Sequence, residues 1–115
     1  MIKKVPIIAM LAVLIMTTNA NAQEIKEMKA TAYCLQGQTA SGTQTRFGMC
    51  AGKKEWIGKQ VFVFRKEDNK YLGMYAVEDT GGDAIKSGAV IDIWLPNEQM
   101  CKDFGTKDVI VVIGD

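Results

Sequence analysis

The stretch from Ala76 to Trp94, AVEDTGGDAIKSGAVIDIW, leaves few folds open to this chain. It begins and ends in strand-like alternation. Tyr75, Val77 and Asp79 fall on one face of a period-two pattern, and Val90, Asp92 and Trp94 on one face of another. Between the two runs stands Thr80-Gly81-Gly82-Asp83, a turn composition whose two glycines are free to take positive φ. Each predicted strand carries an aspartate: Asp79 at the end of the first, Asp92 inside the second. Aspartate is depleted in strands, and an ionised carboxylate among Val90, Ile91, Ile93 and Trp94 is costly to bury without a partner. If the two strands pack side by side, the carboxylates share one partly dry site. Like charge and desolvation then drive one pKa upward. Such a site holds a carboxylic acid protonated near neutral pH.

Residues 1–22 read as a secretory leader. Lys3 and Lys4 make a basic start, an apolar run follows over residues 6–16, and Ala20-Asn21-Ala22 is a small-residue cleavage pattern before Gln23. An uncleaved anchor is the alternative, but the apolar run is short for a membrane span. The nearest cysteine is Cys34, too distant for a lipid anchor. The expectation is a secreted or cell-envelope protein without a stable membrane anchor, with one domain over residues 23–115. Without Lys3 and Lys4, 12 of the 14 basic residues face 13 acidic ones, a net charge of −1. That balance argues against a nucleic-acid partner, which calls for a basic field. Histidine is absent from the chain. A histidine base, a Ser-His triad and a histidine-bound zinc are thereby excluded. Acid–base work falls to carboxylates, Lys, Tyr or Cys.

Cys34, Cys50 and Cys101 are the three cysteines. In an oxidising compartment they read as one disulfide and one odd thiol, with three pairings open. Cys34–Cys50 is favoured slightly because both flank one early loop, with Cys50–Cys101 close behind. A cysteine nucleophile would have no histidine to activate it.

From residue 23 onward, a polar leader over 23–27 gives way to a strand over 28–34. A long loop rich in Gln, Thr, Ser and Gly then covers 35–46, and long polar loops in small domains are often functional. Met49, Cys50, Trp56 and Ile57 supply packing in the following segment. A strand over 59–65 and a return strand over 71–78 flank a charged turn at 66–70. Asn97 caps a short helix that runs to Phe104 and stops at Gly105, with Met100, Cys101 and Phe104 on its apolar side. Val109 to Ile113 is a closing strand. About six short strands, one short helix and glycine-rich turns predict a mainly β fold, a small closed barrel.

Several segments occur in an order that resembles one family. They are Thr31-Ala32-Tyr33, Thr39-Ala40-Ser41-Gly42-Thr43, Gly48-Met49-Cys50-Ala51, Gly58-Lys59, Asp79-Thr80-Gly81-Gly82, Ala84-Ile85-Lys86 and Val90-Ile91-Asp92-Ile93-Trp94. The chain is similar to the 3D domain, named for three aspartates. It resembles the catalytic barrel of membrane-bound lytic transglycosylase A and of small secreted Gram-positive cell-wall lytic proteins, related to the double-psi β-barrels of rare lipoprotein A and expansins. The resemblance implies a six-stranded double-psi barrel and cleavage of the MurNAc–GlcNAc β-1,4 bond of peptidoglycan without water. It implies Asp92 as the catalytic acid and Asp79 as a second catalytic aspartate that raises the pKa of Asp92 and stabilises oxocarbenium character. Thr39, Ser41, Gly42, Thr80, Gly81, Gly82 and Lys86 would contact the glycan. No cofactor or metal is implied, and the protein would act as a monomer on glycan strands. The family's first aspartate has no counterpart here; Ala51–Trp56 offers Glu55 instead. One extra residue and Asp83 lengthen the loop between Asp79 and Asp92.

Two other readings stay open. The chain is a glycan-binding module without catalysis, or a plain disulfide-stabilised envelope domain. Read as structure alone, Asp79 caps the glycine turn, Asp92 bonds backbone amides, and Lys86 is a solvated charge. Trp94 reads as core, Trp56 as core or sugar platform, and Tyr33, Thr39 and Ser41 as groove or plain loop.

Overall fold

Alternation builds the wall of the molecule. Val61 and Val63, Val109 and Val111, and Ile91 and Ile93 are each fully buried, while residues between them face outward or into a loop. Each such side chain gains about 1.5–3 kcal/mol by leaving water. The computed structural model describes residues 24–114; the leader read over residues 1–22 lies outside the described residues. Six strands, β1 (Glu24–Tyr33), β2 (Met49–Ala51), β3 (Gln60–Arg65), β4 (Tyr71–Asp79), β5 (Val90–Trp94) and β6 (Lys107–Ile113), close in the order β1-β5-β2-β4-β3-β6. β1 runs parallel to β5 and β2 parallel to β4, and the other neighbours are antiparallel. Closure leaves no strand edge unpaired. Met28, Ala30, Cys50, Val77 and Ile113 complete the interior with the residues named above.

The structure departs from the sequence reading in three places that bear on the site. Residues 24–27 are strand, not a loose polar leader: they continue β1 and pair antiparallel with β6, from Glu24 opposite Ile113 to Glu27 opposite Ile110. β6 needs a partner on that side, and pairing across the barrel outweighs polar composition. Among the described residues there are two α-helices rather than one. α1 (Asp83–Lys86) is a single turn, and α2 (Glu98–Phe104) is the expected helix. Asn97 caps α2 by accepting from the Met100 N–H at 2.9 Å, and Gly105 ends it at φ 64°. Met100 is exposed, so Cys101 and Phe104 carry the packing face.

The third departure is in the glycine turn. Neither Gly81 nor Gly82 takes a positive φ. Gly82 is extended and leads into α1, so the segment is a helix entry and not a tight hairpin. A Cβ at Gly81 would stand 2.7 Å from the Ile85 Cδ1, so the end of that side chain would have to turn aside.

Candidate functional site

One row of residues crosses four strands on the face opposite the core. Thr31 on β1 is in register with Asp92 on β5, Asp92 with Ala51 on β2, and Ala51 with Asp79 on β4. Residues in register share a face and meet through their side chains. The two aspartates are therefore on one surface, but their strands are not neighbours. β2 lies between them, and two inter-strand spacings put their backbones ~10 Å apart. Ala51 is the spacer, a small side chain that is itself buried. The premise that the two strands pack side by side and put both carboxylates in one partly dry site fails on this topology.

A register shift makes the row possible. Cys50 pairs with Val77 but Ala51 pairs with Asp79, so β4 carries Glu78 as an extra residue. Such a bulge re-aims the side chains beyond it. Strict alternation would put Asp79 on the face of Val77. With the bulge, Glu78 and Asp79 both reach the loop over residues 37–46.

Asp79 is fully engaged. Its Oδ1 accepts from the Ala40 N–H at 3.0 Å and the Thr80 N–H at 2.9 Å, and its Oδ2 from the Tyr33 hydroxyl at 3.4 Å. It pins the loop and the turn beside Asp92. Asp92 is freer: its Oδ1 accepts from the Thr31 hydroxyl at 2.8 Å. Burial pushes the Asp92 carboxyl above the ordinary aspartate range, against the opposing pull of Thr31. The cause is desolvation and not Asp79, as the intervening strand requires. The Tyr33 phenol is driven up by burial first, then by the charges of Asp79 and Asp92. It stays a neutral donor between the two carboxylates.

Three hydroxyls cluster beside this row. The Thr39 Oγ1 lies 3.0 Å from the Ser41 Oγ and 2.9 Å from the Thr43 Oγ1. Ser41 and Thr43 both donate to the Glu78 Oε1, and Arg46 donates to the Oε2 at 2.6 Å. The Arg46 bond, then the hydroxyls, hold the Glu78 carboxyl down at about 2. A depressed carboxylate contributes stability that is full above its ordinary value near 4.5 and lost as pH falls toward about 2. Denaturant unfolding should show wild type losing more stability than Glu78→Gln between pH 6 and pH 2.5. Parallel losses in the two proteins would refute this anchoring of the loop. Glu78 and Arg46 were not singled out from the sequence. Their signal was present in two successive carboxylates at a strand end and one arginine closing a polar loop.

The remaining predicted residues divide clearly. Thr39 is buried, and Ser41 and Gly42 are exposed, with the Gly42 N–H bonded to the Thr39 carbonyl at 2.9 Å. The Thr80 hydroxyl is buried without a partner. Gly82 is open to solvent. Lys86 ends α1 as an exposed residue. Glu55 lies exposed on a 3-10 turn over Lys54–Trp56. Trp56 is core: it is 2% exposed, donates to Glu24 at 3.1 Å, and lies between Lys26 and Lys53. Trp94 is buried too; its Nε1 donates to the Leu35 carbonyl at 2.8 Å, and Phe47 meets its ring edge-on at 6.0 Å. Leu35 and Phe47 are 76% and 64% exposed and give this end of the site an apolar border.

Among the described residues, no group of three His, Cys, Asp or Glu side chains could hold a metal ion. All three cysteines are free thiols. Neither the favoured Cys34–Cys50 pairing nor Cys50–Cys101 is formed, and Cys50 is fully buried inside the barrel. No protein-family model matches the chain, and no curated protein matches it in sequence.

Proposed function

We propose that this protein is a 3D-domain enzyme of the cell envelope that cleaves peptidoglycan glycan strands as a lytic transglycosylase. The observation that carries the reading is Asp92: one half-buried carboxyl, raised by desolvation, bonded by the Thr31 hydroxyl, and in register with the small side chain of Ala51. Two parallel strand pairs within a closed six-stranded barrel support a double-psi topology.

The chemistry uses one carboxyl. Asp92, protonated, gives its proton to the glycosidic oxygen as the bond to C1 breaks. As carboxylate it then takes the proton of the C6 hydroxyl of the same sugar. That oxygen closes on C1 and leaves a 1,6-anhydro end. The substrate supplies the nucleophile, so the second carboxylate of an ordinary glycosidase is not needed. Thr31 orients Asp92, while Asp79 positions the loop and the turn that border the strand. Ser41, Gly42, Gly81, Gly82 and Lys86 stand as glycan contacts in this proposal, while the buried Thr39 and the buried hydroxyl of Thr80 shape the loop and the turn behind them, with a secreted monomer as the acting species.

One observation favours a second reading. Asp79 spends its lone pairs on backbone amides and Tyr33, as a purely structural aspartate would. That suits a glycan-binding barrel without catalysis. Incubation with purified sacculi separates the two. Release of soluble muropeptides by the wild type is the expected result. Protein that sediments with sacculi but frees no fragment would mean binding alone.

A further inference from the structure

Cys34 follows directly on Tyr33 at the end of β1, and Cys101 lies in the middle of α2. The two elements are packed together. The Leu95 N–H bonds to the Tyr33 carbonyl at 2.9 Å, the Trp94 indole bonds to the Leu35 carbonyl, and α2 lies against β1. These contacts set Cys34, one residue past the Tyr33–Leu95 bond, beside the helix that carries Cys101, so that the two thiols are neighbours. Both are half-exposed. Cys50, the third thiol, is sealed in the barrel at 0% exposure.

We propose that Cys34 and Cys101 are a disulfide-forming pair that staples α2 to the end of β1, beside the row that holds Asp92. The inference is independent of the enzymatic reading. The oxidant is an external disulfide of the glutathione or thiol–disulfide oxidoreductase class. One protein thiolate attacks a sulfur of that disulfide and expels one thiolate. The other protein thiolate then attacks the protein sulfur of the mixed disulfide and expels the second. The donor takes two electrons and becomes two thiols, and the two protons come from Cys34 and Cys101. Cys50 takes no part because an attacking thiolate must be reachable. The staple closes the long chain segment between residues 34 and 101, where cross-linking constrains the unfolded state most. It also fixes the backbone next to Tyr33 and hence its bond to Asp79.

The test is oxidation of the full chain with oxidised glutathione, alkylation under denaturing conditions, tryptic digestion and mass spectrometry. The peptide of residues 30–46 should be joined to that of residues 87–102, while Cys50 carries the alkyl group. The oxidised protein should melt on the order of 10 °C higher than the reduced one. Cys101→Ser should lose both the link and the shift. A link through Cys50, or three alkylated cysteines at excess oxidant, would overturn the proposal.

Discussion

Asp92→Asn is expected to lower the rate of muropeptide release by about 10²–10⁴-fold, the usual worth of a placed general acid. The amide keeps the shape and still accepts from Thr31, but it has no proton to give to the leaving oxygen. Folding should not suffer. Burial raises the Asp92 pKa, so the folded state binds more protons than the unfolded one, and ionised Asp92 costs stability as pH rises through that window. Removing the charge therefore leaves the melting temperature at neutral pH unchanged or higher. Turnover and melting measured on the same preparation separate these effects. A variant with equal loss of both would make Asp92 a structural residue. The raised pKa also sets a sign for activity: the protonated acid persists above the ordinary aspartate range, and activity falls as pH rises past it.

Ile93→Ala is expected to cost about 2–5 kcal/mol of stability. Ile93 is fully buried and sits on β5 between neighbours β1 and β2, opposite Ala32 and Cys50. Its removal leaves a void that the closed barrel cannot collapse into, since every strand is held on both sides. The melting temperature should fall on the order of 10 °C or more for a domain of this size. Urea unfolding of the variant beside wild type checks it. A loss below ~1 kcal/mol would mean that the wall around β5 relaxes freely.

The strands were legible because their alternation is strong. Val61 and Val63, Ile91 and Ile93, and Val109 and Val111 announce an inner face directly. The end of α2 was legible because capping is local: Asn97 and Gly105 act through their own turn. Strand order was not, because register across the barrel is set by partners far along the chain. Nothing in Ala76–Trp94 says that β2 enters between β4 and β5, so the two aspartates looked adjacent and are not. The bulge at Glu78 was equally hidden, since one extra residue leaves the composition of a strand untouched. The row from Thr31 to Asp79 exists only through these two long-range features. Trp56 was ambiguous for a different reason. Its burial depends on Glu24, Lys26 and Lys53, two of which belong to a strand segment that reads as a polar leader.

The claim at the centre of this account is that Asp92 breaks a glycosidic bond with the substrate's own hydroxyl as nucleophile. Digestion of purified peptidoglycan in water enriched in oxygen-18, with fragments resolved by mass spectrometry, tests it most directly. Fragments ending in a 1,6-anhydro sugar and carrying no heavy oxygen are the predicted result. Fragments with a reducing end that bears oxygen-18 would mean that water attacks C1, and would contradict it.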